Sequence, residues 1–186
     1  MLLPNLNTLL QKLISTASVS SSIPELDQSN IDIINLLANW FDELGFKIEI
    51  QQLPTKSNKY NLIARLGQGD NGLILAGHSD TVPYQSNLWQ FPPLQLTESD
   101  GKWYGLGMAD MKSFFAFVVE AIRHLNLAKL KQPLIIIATA DAVLISFCSR
   151  VFRFGNNIWE PLKIGNHARV SGQISSNHAV TNNGNL

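Results

Sequence analysis

The chain has a single cysteine, Cys148, among its 186 residues. An internal disulfide framework is therefore excluded, and a reducing compartment is expected. Charge is also scarce: Asp, Glu, Lys and Arg make up 15% of the residues, and 14 basic residues offset 14 acidic ones. With neither sign in excess, nothing attracts a nucleic acid or an anionic membrane surface. The same neutrality leaves little self-repulsion to oppose association. Long apolar runs are missing as well. The longest nearly apolar stretch, Leu134 to Phe147, contains Asp141 and is shorter than the roughly 20 residues a membrane-spanning helix needs. No basic residue precedes Lys12, so the start does not read as a secretory leader. These absences point to a cytoplasmic protein with no membrane or nucleic-acid partner.

What is present suits a packed core. Apolar residues make up 45% of the chain, and this length accommodates one ordinary domain. Leu6, Leu9, Leu10, Leu13 and Ile14 recur at helical spacing, and this first helix is expected to fray into the Ser-rich stretch 15–22. Ile33, Ile34, Leu37, Trp40, Phe41 and Leu44 predict a stronger second helix, followed by Gly45 where a left-handed stop residue is wanted. Phe46, Ile48 and Ile50 alternate with polar residues as in a half-buried strand, and 60–66 and 73–76 read as further strands.

A third helix is expected from Ser113 to Leu125, with Ser113 as its N-cap and Phe114, Phe117, Val118, Ala121, Ile122 and Leu125 on its apolar face. Pro133 then opens an apolar run over 134–140 that reads as a strand covered on both faces. Strands alternating with helices predict an α/β domain over residues 1–141. Residues 142–186 differ. They hold one acidic residue, Glu160, and four basic ones, against thirteen and ten before them, with seven asparagines and no sustained period.

Gly67-Gln-Gly-Asp-Asn-Gly72 has the spelling of a dinucleotide-binding loop. It leads into a strand, however, whereas phosphate binding requires a following helix N-terminus, so a hairpin turn is expected. His78-Ser79-Asp80 contains the residue types of a catalytic triad, but neighbours on one strand cannot converge as a triad does. His124, beside Arg123, is expected to be exposed, and Cys148 to be a small buried apolar residue. His167 and His178 in the tail read as chance placements.

Two clusters carry chemistry. In Leu-Ile-Leu-Ala-Gly-His-Ser-Asp-Thr-Val-Pro, residues 73–83, His78 and Asp80 stand two apart at the carboxyl end of a strand read as buried. That is where open α/β sheets bind ligands. A metal-binding imidazole needs its second nitrogen held by an acceptor. Asp80 can supply that acceptor if the chain turns after the strand, or can itself be a ligand. Taken alone, a solvated His and Asp at a strand end is the simpler reading. The second cluster, Gly105-Leu-Gly-Met-Ala-Asp-Met-Lys112, sets Asp110 just before the third helix and after two glycines that permit close backbone approach. A carboxylate there can bridge two cations, with helix-start amides satisfying its remaining acceptor capacity. The plainer alternative makes Asp110 a helix N-terminal charge and Lys112 a surface residue.

Together with Trp89, Pro92-Pro93 and Asp100-Gly-Lys-Trp-Tyr-Gly, these motifs resemble the di-zinc aminoacylase/carboxypeptidase family over residues 1–141. Asp27-Gln-Ser-Asn, Asn35-Leu-Leu-Ala, Phe114-Phe-Ala-Phe and Ala138-Thr-Ala-Asp141 are similar to the branch that deacetylates N²-acetylornithine in arginine biosynthesis. The branch acting on succinyl-diaminopimelate is the substrate alternative. The resemblance implies part of a zinc-exopeptidase-like catalytic domain, a mixed β-sheet flanked by helices. It implies Zn2+ or Co2+ as cofactor, His78 on one metal ion, Asp110 bridging two, and Asp80 as a catalytic-site residue orienting His78. The implied substrate is a small N-acyl amino acid.

Ser79 stands where threonine is usual, and Ser113 where glycine is usual. A larger departure follows Asp141. The family has two glutamates there, a general base and a ligand to the second zinc, whereas this chain has Ala142 and Val143. The family's later ligands and its dimerisation domain are not recognisable in the tail. The expectation is a chain without useful deacetylase activity, a non-catalytic remnant with a frameshifted or disordered tail. Its sheet should keep an unpaired edge and an uncovered apolar face, and the family-type homodimer should not be preserved.

Overall fold

A computed structural model describes residues 3–140, except Thr55, Asp70 and the side chains of Lys56 and Ser57. The sequence expectations for Asp141, Ala142, Val143 and the rest of the tail lie outside the described residues. Helices α1 (Leu6–Ser15) and α2 (Ile31–Glu43) lead into strands β1 (Lys47–Leu53), β2 (Lys56–Leu66) and β3 (Leu73–His78). A small hairpin of β4 (Thr97–Ser99) and β5 (Lys102–Tyr104) precedes α3 (Ser113–Arg123) and β6 (Leu134–Thr139). The main sheet is mixed, in the order β1-β2-β6-β3. β6 runs antiparallel to β2 and parallel to β3, pairing Ala138 with Leu62 on one side and with Gly77 on the other. The α/β class and the mixed sheet thus agree with the sequence reading.

The helices form for identifiable reasons. Asn5 caps α1, its Oδ1 accepting from the Thr8 amide at 2.9 Å. α2 ends at Gly45, whose φ of +84° is one that side-chain-bearing residues avoid. The Gly45 amide donates to Asp42 O at 2.8 Å and the Phe46 amide to Phe41 O at 3.0 Å. The Phe41 and Phe46 rings pack 5.5 Å apart, which completes a Schellman stop. Apolar residues of all three helices, among them Leu9, Leu13, Ile34, Phe41, Phe115 and Ile122, bury one face of the sheet at Leu62, Ala64, Ile136 and Ala138.

Several details differ from the sequence expectation. The Gly67–Gly72 segment is not a hairpin turn, because β6 lies between β2 and β3. β6 is apolar at nearly every position and takes the slot with a partner strand on each side. β3 is not buried along its length: Leu73 is 59% exposed, and only Gly77 and His78 are buried. Every residue of β6 is buried, with Ile135 and Ile137 packed against Ile63 on the face away from the helices. In α3 the buried apolar residues are Phe115, Ala116, Val118, Val119 and Ile122, while Phe117 is exposed. The run Phe-Phe-Ala-Phe-Val-Val is apolar on every side, so its period alone could not select the inward face. Ser113 is the first helical residue rather than the N-cap, and its hydroxyl donates to Met108 O.

Candidate functional site

β3 ends at His78, and the chain turns at once. Ser79 N donates to Thr139 O at 2.8 Å, and Thr81 N donates to Ser18 O at 3.1 Å. This turn brings Asp80 back onto the imidazole, Oδ1 lying 3.0 Å from His78 Nδ1. The other ring nitrogen, Nε2, meets Asp110 Oδ1 at 2.9 Å. His78 and Asp110, 32 positions apart, therefore meet, and the imidazole has a carboxylate on each nitrogen. His78 and Asp80 are buried at 7% and 6% exposure, whereas the Asp110 side chain is 85% exposed. His124 is exposed as expected and pairs with Glu120 at 3.1 Å, remote from the site in the chain.

The imidazole is tuned accordingly. Its hydrogen bond with Asp80 is the largest influence and raises its pKa; burial opposes this, and Asp110 adds to the rise, leaving it at about 9. At neutral pH both ring nitrogens then carry protons, Nδ1 donating to Asp80 and Nε2 to Asp110. A cation that takes Nε2 must displace the Nε2 proton.

The Asp110 loop is built from beneath. Lys112 is fully buried, not a surface residue. Its Nζ donates to Thr16 O, at the carboxyl end of α1, at 2.6 Å, a favourable place for a cation. Burial brings its pKa down to about 8. Gly107, at φ +85°, makes room for that side chain: a Cβ there would lie 2.6 Å from Lys112 Cδ. The Asp110–Met111 peptide is cis. The helix-start amides do not serve Asp110 as anticipated. Ser113 N donates to Gly107 O, Phe114 N to Met111 O and Phe115 N to Lys112 O.

Sequence reasoning missed the strap that crosses the carboxyl ends of β3 and β6. The stretch read as a fraying helix end is ordered by its hydroxyls: Ser18 Oγ donates to Ser79 O at 2.7 Å and Ser20 Oγ to Ala140 O at 3.3 Å. Val19 forms a parallel bridge with Thr81. Lys59, 1% exposed, holds the strap from within, its Nζ donating to Val19 O, Ser20 Oγ and Gln28 O and pairing with Asp27 at 2.9 Å. Lys59 lies in a polar stretch, Lys-Ser-Asn-Lys, ahead of the apolar part of β2, so nothing in the local pattern marked it.

Imidazole nitrogen and carboxylate oxygen are ordinary zinc donors, so His78 and Asp110 fit a metal as two of its ligands. Asp80 faces the opposite nitrogen, Nδ1. Among the described residues no group of three or more His, Cys, Asp or Glu side chains gathers as a metal site. Two donors fall short of the roughly three that catalytic zinc usually takes from protein.

Comparison with known proteins bears on this geometry. Residues 74–141, which span β3, the Asp110 loop, α3 and β6, match the model of peptidase family M20/M25/M40. The fold is similar to human carnosine dipeptidase 1, at 22% identity and a TM-score of 0.60, covering 73% of this chain and 31% of that one. It is similar to the M20 family metallo-carboxypeptidase Sso-CP2 from Sulfolobus solfataricus, at 18% identity and a TM-score of 0.62, covering 74% and 31%. The dipeptidase Dug1p from Saccharomyces cerevisiae matches at 19% identity and a TM-score of 0.52, covering 72% and 31%. The chain thus spans about a third of the length of these solved structures. The described residues thus share part of the α/β fold of these solved structures, and residues 74–141 carry a sequence pattern that matches the family model.

Proposed function

We propose that this chain carries one side of the metal centre of an M20-type amidohydrolase acting on small N-acyl amino acids, N²-acetylornithine first among them. The observation that carries the reading is the shared imidazole: Asp110 Oδ1 meets His78 Nε2 at 2.9 Å while Asp80 Oδ1 holds Nδ1 at 3.0 Å. In this reading His78 and Asp110 bind Zn2+ or Co2+, and Asp80 fixes the tautomer and aim of His78. When bound, such a cation polarises a carbonyl and lowers the pKa of water. The chain's own contribution is positional. Asp80 keeps a proton at Nδ1 so that Nε2 is the donor face, and the exposed Asp110 carboxylate meets it from the α3 side. The deacetylase assignment rests on the sequence resemblance.

Activity of this chain by itself is a separate matter, and we read it as a non-catalytic remnant. Its described residues offer two donors, and Ala142 and Val143 stand where the resembled family has its glutamate pair. Loss of a general base alone removes about 10²–10⁴ in rate. Equilibrium dialysis against Zn2+ and Co2+ tests the metal reading: binding by the wild type that His78→Ala and Asp110→Ala both abolish is expected, and binding unchanged by either substitution refutes it. Hydrolysis of N²-acetylornithine or succinyl-diaminopimelate above the metal blank would overturn the remnant reading. Translation of the encoding DNA beyond codon 141 in the other two frames tests the frame change, which predicts Glu-Glu and a family-like continuation.

A further inference from the structure

We propose that Asn30 is a positioning residue for the His78–Asp80 pair, acting through Ser79. Asn30 occupies the N-cap position of α2 yet makes no side-chain capping bond, although asparagine is among the preferred caps. Its carboxamide is spent elsewhere, and the residue is fully buried. β6 covers β2 only from Leu66 to Leu62. Asn30 takes the backbone groups further along β2, with Oδ1 accepting from Tyr60 N at 2.9 Å and Nδ2 donating to Tyr60 O at 2.8 Å. The second Nδ2 proton goes to Ser79 Oγ at 3.0 Å. Both donors and the acceptor of the carboxamide are thereby used.

Ser79 is the residue between His78 and Asp80, and each of its polar atoms is engaged. Its amide and its hydroxyl both donate to Thr139 O, at 2.8 Å and 3.0 Å. Its carbonyl accepts from Ser18 Oγ at 2.7 Å. Peptide units are planar, so fixing the amide and carbonyl of Ser79 fixes the directions in which the chain leaves toward His78 and Asp80. The 3.0 Å contact between Asp80 Oδ1 and His78 Nδ1 follows from that turn. Asn30 is the only side chain among the described residues recorded as donating to the Ser79 hydroxyl, and so it selects the rotamer in which that hydroxyl donates onward to Thr139.

A merely structural Asn30, tying α2 to β2 through Tyr60, would affect folding without changing the ring's bond in folded molecules. The two roles separate in a spectroscopic readout. The inference rests on the proposed function only for why the aim of the imidazole matters; the resonance of the Nδ1 proton reports the aim itself, with no metal added. The experiment is proton–nitrogen NMR of the full chain at one fixed pH, read beside the thermal midpoint. Asn30→Ala and Asn30→Asp should lose the downfield Nδ1 proton resonance, Ser79→Ala should lose it too, and the Asn30→Ala/Ser79→Ala pair should lose nothing further. Ser79→Thr, which keeps the hydroxyl, should retain it.

Asn5→Ala, which removes the α1 cap far from the site in the chain, should lower the midpoint and leave the resonance in place. An intact resonance in folded Asn30→Ala overturns the proposal, as does equal loss in Asn5→Ala. If Asn30→Ala does not fold, Ser79→Ala decides alone, and an intact resonance there overturns it. A wild-type chain that binds no zinc but shows this pattern of resonances would sink the metal reading and leave the positioning role standing.

Discussion

Lys59 Nζ lies 2.9 Å from Asp27 Oδ1, with the lysine 1% and the aspartate 15% exposed. Burial by itself would raise the Asp27 carboxyl; the hydrogen bonds from Lys59, the Ser21 amide and Asn58, with the lysine charge, outweigh it and bring the pKa down to about 2. A carboxylate whose folded pKa is depressed contributes stability above its unfolded pKa, near 4, and loses it as pH falls through the folded value. Denaturant melts across pH should therefore show wild type losing up to about 2 kcal/mol between pH 4 and pH 2 beyond what Asp27→Asn loses. Parallel curves for the two proteins would refute this.

Lys59→Ala should cost more than an ordinary surface change. It strips the strap of three donor contacts and leaves Asp27 without its buried counter-charge, a loss of about 3–5 kcal/mol for a broken buried pair. Urea titration at neutral pH measures it; a loss under about 1 kcal/mol would show that the pair is not seated as described.

Two glycines should respond unequally. Gly45→Ala keeps the Schellman bonds but forces a left-handed conformation on alanine, at about 1–2 kcal/mol. Gly107→Ala adds a collision to the same strain, since the new Cβ would fall 2.6 Å from Lys112 Cδ. Gly107→Ala should lower the thermal midpoint further than Gly45→Ala, and the reverse order would contradict the packing of Lys112.

Asp80→Asn should separate orientation from coordination. The imidazole keeps a neighbour at Nδ1 but loses the carboxylate that fixes its tautomer, and zinc affinity should fall by about 10–100-fold. Asp110→Ala, removing a donor outright, should do worse in the same dialysis measurement. Equal losses would place Asp80 among the ligands.

The helices and strands were legible because their patterns are strong: α1 and α2 show one apolar stripe each, and Gly45 marks its own stop. The inward face of α3 was not, because Phe114 to Val119 offer hydrophobic side chains in every direction and the sheet decides which are covered. The Asp100-Gly101 hairpin turn could have been read, as both residues take positive φ between β4 and β5 in the manner Asp-Gly favours. His78, Asp80 and Asp110 could be singled out by residue type. Their supports could not: Asn30, Ser18 and Lys59 act through contacts with residues 40 or more positions distant, which no local spacing encodes.

The position of β6 has a consequence for assembly. The last described strand in the sequence is an inner one in space, and β2 and β3 have no direct ladder with each other without it. A nascent chain emerging N-terminus first can form α1, α2 and the β1–β2 pair from neighbouring residues, yet β3 has no partner strand in the sheet until synthesis has passed Thr139. Sheet closure is therefore a late, long-range event with a slow search, and until it occurs the exposed edge of β2 is available to other chains.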